Sequence, residues 1–128
     1  MLQNTPAFSS FSAPDLVQMK DFYGTTLGLP VSETPEGLHV ALHGGLQVFI
    51  YPSTTYHAPE HTVLNFIVED IDAAVKELNT AGVSMEQYPD FYTDKMGICR
   101  NDGTHPGPKA IAWFKDPAEH ILSLIQEK

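Results

Sequence analysis

Apolar and polar positions recur along this chain in two similar blocks, and each block predicts a strand, a helix and further strands. The stretch that begins at Phe11 reads FSAPDLVQMKDFYGTTLGLPV, and the stretch that begins at Phe66 reads FIVEDIDAAVKELNTAGVSM. With an offset of 55 residues the two phenylalanines align, and so do Asp15 and Asp70. Two copies are too few for a solenoid, so the repeat predicts one domain built from two similar halves.

Both blocks place a helix between a capping residue and a glycine. The first helix is expected from about 13 to 27, with Ser12 placed to cap it, Asp15 in its first turn and Gly28 at its end. The second helix follows Asp70 and ends at Gly82, which aligns with the first glycine after a one-residue slip. Apolar residues at helical spacing give each helix one buried stripe.

The remaining apolar runs predict strands. They are expected over 7–12, 29–33, 38–43 and 46–51, and again over 62–68, 83–88, 109–114 and 121–126, with a further short strand, 97–100, inside the long loop 89–108. Gly44 and Gly45 suit a two-residue hairpin turn with positive φ. The order is βαβββ twice, which predicts an α+β fold with helices on the outside of a curved mixed sheet. We expect one domain over 1–128, with halves at about 7–51 and 62–126 and a concave trough between them.

Composition excludes several classes of function. Seven Lys and Arg stand against sixteen Asp and Glu, and the net charge of −9 opposes nucleic-acid binding. No apolar run approaches the roughly 20 residues of a membrane span. The N-terminus lacks the basic start of a signal peptide, and the single cysteine, Cys99, fits a reducing compartment. Cys99 is interpreted as a small buried or half-buried residue rather than a reactive thiol. We therefore expect a cytoplasmic protein with no nucleic-acid or membrane partner.

Three segments carry a recognisable family pattern: DFYGTTLGLPV at 21–31, VEDIDAAVKELNTAGV at 68–83 and AWFKDPAEHILSLIQ at 112–126. With them, over about 8–126, the chain resembles the vicinal oxygen chelate superfamily. That superfamily includes glyoxalase I, extradiol dioxygenases, fosfomycin-resistance enzymes and bleomycin-binding proteins. The resemblance implies a ligand trough, and it also implies a homodimer.

The resemblance further implies four strand positions that hold a divalent metal through His, Gln or Glu. In this chain those positions are Phe8, Val48, Val63 and Ser123. Phenylalanine and valine have no donor atom, and serine rarely binds such ions alone. We therefore predict no metal at the usual site and no cofactor.

Strand alternation, with the resemblance, predicts which side chains line the trough. The predicted ligand-binding residues are Phe8, Ser10, Val48, Ile50, Val63, Asn65, Trp113 and Ser123. Such a trough is mainly apolar with a few polar groups, as in pockets for small organic molecules. The alternative is that these faces simply pack together as core.

Other candidates are less specific. His57, Glu60 and His61 could supply a general base at the trough rim, although loop histidines are commonly just solvated. His105 and His120 are interpreted as loop and turn residues. Four aromatic residues have two equally good interpretations: they could form a wall over a ligand, or they could simply pack together. They are Tyr88, Phe91, Tyr92 and Trp113.

Three functions remain open at this point. The first is a metal-free binder of a small, largely apolar organic molecule. The second is a glyoxalase-type lyase or isomerase that works by acid–base chemistry or with a metal at a non-standard site. The third is a structural or regulatory domain with an apolar interface and no pocket.

Elemental analysis tests the predicted absence of a metal. Protein purified without chelators should contain no stoichiometric zinc, nickel, iron or manganese, because the four expected ligand positions lack suitable donors. Near-stoichiometric content of any of these metals would contradict the prediction.

Overall fold

The computed structural model describes all 128 residues, Met1–Lys128, and folds them into eight strands and two α-helices. The chain divides into two compact units, Met1–His57 and Ala58–Lys128. Each unit holds one four-stranded mixed sheet, so the α+β class is confirmed. None of the helices is both long and apolar enough to cross a membrane.

The first unit is a βαβββ module. Its elements are β1 (Ser9–Ala13), α1 (Leu16–Lys20), a π-helical turn (Asp21–Thr26), β2 (Val31–Thr34), β3 (Gly37–Ala41) and β4 (Gln47–Pro52). The strand order is β1-β4-β3-β2. β1 runs parallel to β4, and the other neighbours are antiparallel.

The second unit repeats this arrangement. Its elements are β5 (Thr62–Ile67), α2 (Ile71–Thr80), β6 (Ile98–Arg100), β7 (Ala110–Lys115) and β8 (Ile121–Gln126). The strand order is β5-β8-β7-β6, with β5 parallel to β8. The order and the position of the parallel pair match those of the first unit, so the βαβββ repeat predicted from the sequence is confirmed.

Aspartates at equivalent positions start the two helices. The Oδ1 atom of Asp15 accepts a hydrogen bond from the Val17 N–H at 3.0 Å, and Oδ1 of Asp70 accepts one from the Ala73 N–H at 3.1 Å. Their backbone φ/ψ values, −134°/101° and −136°/101°, are nearly identical. The prediction that Ser12 caps the first helix is wrong, because this residue lies within β1.

The π-helical turn explains the one-residue slip between the two copies. The Leu27 N–H donates to the carbonyl of Phe22 at 2.8 Å, a bond five residues back along the chain. This wider turn accommodates the extra residue of the first copy before its glycine. Gly28 and Gly82 then end the two helices with φ of 73° and 91°, a conformation that favours glycine.

Each helix packs on one face of its own sheet. α1 contacts β3 and β4, and α2 contacts β7 and β8. The buried apolar side chains of these elements form the core. They include Ala13, Met19, Tyr23, Leu38, Val40, Val48 and Ile50 in the first unit, and Ile71, Val75, Ile98, Ala112, Phe114, Leu122 and Leu124 in the second.

Two local predictions need correction. The segment 83–88 is irregular rather than a strand, although the Glu86 N–H donates to the Trp113 carbonyl at 2.8 Å. A single backbone hydrogen bond to β7 does not make this segment a strand of the sheet. The hairpin turn is longer than two residues, because the strands end at Ala41 and restart at Gln47. The two glycines of this turn do have positive φ, 82° and 80°.

A buried polar turn precedes β8. Asp116 is 4% exposed, and His120, expected only as a turn residue, is fully buried. Oδ1 of Asp116 accepts hydrogen bonds from the N–H groups of Ala118 at 2.9 Å and His120 at 3.0 Å. Oδ2 lies 2.7 Å from Nδ1 of the His120 ring. One carboxyl group therefore fixes both the backbone of the turn and the histidine ring.

On the helix side of the second unit, Arg100 joins β6 to α2 and to the loop before β6. Its guanidinium lies 2.7 Å from Oδ1 of Asp72 and 3.1 Å from Oδ2 of Asp94. The hydrogen bond from Arg100 holds the pKa of Asp72 below its ordinary value. Burial raises the pKa of Asp94, but hydrogen bonds from the Ile98 N–H and from Arg100 more than offset it, so that pKa is lowered too.

The buried turn should be essential for stability. We expect Asp116→Ala to lower the free energy of unfolding by about 3 kcal/mol, because it leaves buried donors without an acceptor. Urea unfolding measures the change, with Asp90→Ala, at an exposed aspartate, as the control. Equal unfolding midpoints for the two variants would contradict this account.

The arginine network should stabilise the fold in a pH-dependent way. The pKa values of both carboxyl groups are depressed in the folded protein, so the stabilisation exists above about pH 4 and is lost as pH falls through the folded pKa values. Arg100→Gln should cost about 1 kcal/mol at pH 7, since the three groups are partly exposed, and progressively less below about pH 4.

Urea unfolding of the unmodified protein and of Arg100→Gln at several pH values measures how much free energy of unfolding the substitution removes at each pH. The control is Lys20→Gln, which removes an exposed pair whose atoms lie 3.4 Å apart. A destabilisation by Arg100→Gln that stays constant from pH 7 to strongly acidic pH would show that the carboxyl groups do not carry the effect.

Candidate functional site

Each sheet has one face that its own helix does not cover, which we call the open face. In the first unit, the ring of Tyr23 packs on Phe11 with centroids 6.2 Å apart, so Phe11 faces the helix side. Phe11 is in register with Ile50, which therefore faces the same side. Val48, two residues earlier on the same strand, does so as well.

The prediction that Val48 and Ile50 share a face with Ser10 is therefore wrong. Both side chains are buried on the helix side of the sheet, and Ile50 is fully inaccessible. The error is one of register, since Ser10 lies opposite Phe49 rather than opposite either aliphatic residue. In a strand, a shift of one residue exchanges the two faces.

The open face of the first sheet carries a row of aromatic rings instead. The Phe49 ring lies 4.9 Å from that of His39, 6.1 Å from that of Tyr51 and 6.4 Å from that of Phe8, measured between centroids. Phe8 is 65% exposed and Tyr51 is 42% exposed. Sequence reasoning identified Phe8 but missed the other three, because aliphatic and aromatic residues alternate along β4 and the sequence does not show which set shares a face with β1.

The open face of the second sheet brings together three predicted residues. Asn65, Ser123 and Trp113 lie opposite one another on β5, β8 and β7. The Ser123 hydroxyl donates to Oδ1 of Asn65 at 2.5 Å. Ile67, on the same face as Asn65, is 68% exposed. This face combines an apolar surface with one polar pair.

Val63 occupies an irregular position. The pairing of β5 with β8 shifts between Thr62 and Leu64, so Val63 is the extra residue of a bulge and has no direct partner on β8. Its side chain is half-buried. The strand alternation used in the sequence analysis therefore does not hold at this residue.

Three aromatic side chains cluster on the second open face. The Trp113 ring lies 5.4 Å from Tyr88 and 5.6 Å from Phe91, and those two are 6.1 Å apart. Burial, with the charge of Glu86, raises the pKa of the Tyr88 phenol. Tyr92 differs, because it adopts a left-handed backbone conformation and is 89% exposed. The loop before β6 thus supplies two of the three clustered rings.

The candidate general bases lie in the segment between β4 and β5. His57, Glu60 and His61 are all exposed. The first ends one unit, and the other two belong to the next. Their role as acid–base groups stays a prediction.

The residues at the positions expected to bind a metal do not fit one. Phe8 and Val63 offer no donor atom, and the Ser123 hydroxyl is already hydrogen-bonded to Asn65. No group of three or more His, Cys, Asp or Glu side chains is arranged to hold an ion. We therefore derive no chemistry through a metal.

Comparison with known proteins identifies the family. The sequence profile of the Glyoxalase/Bleomycin resistance protein/Dioxygenase superfamily matches residues 10–124, which is most of the chain. None of the curated protein sequences compared with the chain matches it significantly.

Solved structures share the fold along nearly the whole chain. TnmS3, an antibiotic binding protein from Streptomyces sp. CB03234, is 23% identical with a TM-score of 0.68, over 98% of this chain and 99% of that one. A glyoxalase family protein from Enterococcus faecalis is 24% identical with a TM-score of 0.69, also over 98% and 99%. The fosfomycin resistance protein FosX from Listeria monocytogenes is 14% identical with a TM-score of 0.69, over 98% and 94%. At these identities the similarity shows the fold alone.

Proposed function

The chain belongs to the glyoxalase/bleomycin resistance protein/dioxygenase superfamily, and from that premise we propose that it binds a small, largely apolar organic molecule without a metal ion. The observation that carries the proposal is the pair of aromatic open faces. Each is left uncovered by the helix of its own unit, and each includes one aromatic residue, Phe8 or Trp113, that was predicted to contact the ligand.

The first open face supports binding through its exposed rings. Phe8, Phe49 and Tyr51 form a continuous aromatic surface, and two of them are more than one-third exposed. Covering apolar surface contributes about 25 cal/mol per Å² removed from water. Contiguous apolar patches on a protein surface commonly mark binding sites. An aromatic or aliphatic ligand would gain this energy.

The second open face supports binding through a different combination. The Trp113 cluster provides an apolar wall, and the pair formed by Asn65 and Ser123 provides hydrogen-bonding groups beside it. Pockets for small molecules typically have apolar walls with a few polar groups that fix orientation. This arrangement favours a ligand with a flat apolar body and at least one polar substituent.

The structural neighbours are compatible with this proposal. TnmS3 is described as an antibiotic binding protein, which makes sequestration of a drug-like molecule a reasonable form for the function to take. The homodimer implied by the family resemblance remains a prediction.

The enzymatic alternative receives less support. A glyoxalase-type lyase or isomerase that works by acid–base chemistry needs a base beside its ligand. His57, Glu60 and His61 are exposed in the segment between β4 and β5, and their assignment as bases rests on the sequence alone. Chemical change of a bound compound would favour this alternative, and the absence of any bound compound would favour a structural domain.

A thermal-shift screen tests the binding proposal. Flat aromatic and amphiphilic compounds should raise the melting temperature of the protein, because they bind the folded state only. For any compound that does so, Trp113→Ala should weaken the affinity measured by calorimetry about tenfold, since buried tryptophans often dominate binding energy.

Val17→Ala is the matched control for this experiment. It shortens an exposed apolar side chain of α1 and should leave the affinity unchanged. The proposal fails if no class of compound stabilises the protein, and equal binding by the two variants would exclude the second open face as the binding site.

A further inference from the structure

A cavity of about 500 Å³ lies within the second unit, beside the aromatic cluster. Its lining residues come from the loop before β6, from β6 and β7, and from the loop between those two strands. They include Phe91, Cys99, Arg100, Asp102 and Ile111. The family resemblance assigns no site to β6 or to the loop that follows it. We call this cavity the β6 pocket.

One wall of the β6 pocket is apolar and continues from the open face. Cys99 and Ile111 lie opposite each other on β6 and β7, and Ile111 shares the open face with Trp113. Phe91 belongs both to the pocket lining and to the aromatic cluster, with its ring 5.6 Å from that of Trp113. A flat molecule in the pocket would therefore contact Phe91 and lie close to Trp113.

Asp102 places a negative charge at the pocket. The Thr104 hydroxyl and N–H donate to Oδ1 of Asp102 at 2.6 and 2.9 Å. These bonds lower the pKa of Asp102, so the group is charged at neutral pH. Both bonds end on Oδ1, which leaves Oδ2 available to a ligand.

The cation nearest to the pocket is already neutralised. Arg100 contributes to the lining, but its guanidinium is held by Asp72 and Asp94 on the helix side of the sheet. Across the whole chain the formal net charge is −9. The local and the overall charge both favour a positively charged ligand over a negatively charged one.

We propose that the β6 pocket binds the flat, positively charged end of the ligand, with the aromatic body against Phe91 and Ile111 and a basic nitrogen at Asp102. This inference rests on the proposed function, because it specifies the class of small molecule that the second unit accepts. It selects flat aromatic cations over neutral compounds of the same shape, and neutral compounds over anions.

Two side chains provide site-specific signals for a test. Cys99 is the only cysteine and Trp113 is the only tryptophan of the chain. Cys99 lines the β6 pocket, so protection of its thiol from alkylation reports occupancy there. Trp113 lies beside the pocket, so quenching of its fluorescence reports a ligand anywhere on the second open face.

The probes are three flat tricyclic compounds of different charge: proflavine as the cation, acridone as the neutral compound and anthracene sulfonate as the anion. Proflavine should bind most tightly by calorimetry and should protect Cys99 from iodoacetamide. Asp102→Asn should weaken proflavine about two- to fivefold and leave acridone unchanged, as expected for a charge pair at an exposed carboxylate.

Glu36→Gln is the control for net charge. It removes the same charge from an exposed turn of the first unit and should leave proflavine binding unchanged. Equal loss of affinity in the two variants would overturn the role of Asp102, because only the overall charge would then matter. Equal affinity for all three probes would overturn the charge preference.

The two signals separate this inference from the function on which it rests. If a probe quenches Trp113 without protecting Cys99, the protein binds small molecules but the β6 pocket is not the site. If no probe and no compound of the thermal-shift screen raises the melting temperature or changes either signal, the proposed function itself fails.

Discussion

One short helix can cover only one face of a four-stranded sheet, and the rest of this molecule depends on that constraint. In both units the helix packs on the two central strands, and the aliphatic side chains of that face form the core. The opposite face has to be occupied by something other than the helix of its own unit. In this chain it carries aromatic rings, of which Phe8 and Tyr51 are substantially exposed, and the exposed aliphatic Ile67. These open faces are the surfaces available for function.

The open faces lack the side-chain nitrogen and oxygen donors that would bind a metal ion at the positions expected from the family. Among the positions expected to hold a metal, Val48 lies on the helix side, Phe8 and Val63 have no donor atom, and the Ser123 hydroxyl is directed to Asn65. What remains is apolar surface with few polar groups, together with a carboxylate at the edge of the second sheet. The proposed binder would hold its ligand on such a surface through burial and shape.

The repeat, the element order and the fold class could be predicted from sequence because they rest on local signals. Asp15 and Asp70 align in the sequence and then cap their helices with the same backbone geometry. Because Asp15 aligns with Asp70, the repeat itself indicates that Asp15, and not Ser12, caps the first helix. The extra residue of the first copy could be seen in the alignment, but the π-helical turn that accommodates it could not.

The composition of the site was harder to predict because it depends on pairing between distant strands. The register of β1 with β4 decides whether Phe49 or Ile50 shares a face with Ser10, and no local pattern fixes that register. Aliphatic and aromatic residues alternate along β4, so both faces look equally apolar in the sequence. The bulge at Val63 is a similar long-range feature, since it exists only relative to β8.

A crystal structure of the protein taken directly from cells, without added ligands or chelators, tests the central claim most directly. The account predicts electron density for an organic molecule packed against the rings of an open face, with Trp113 or Phe49 among its contacts. An ion coordinated by several side chains beside Asn65 and Ser123 would contradict it.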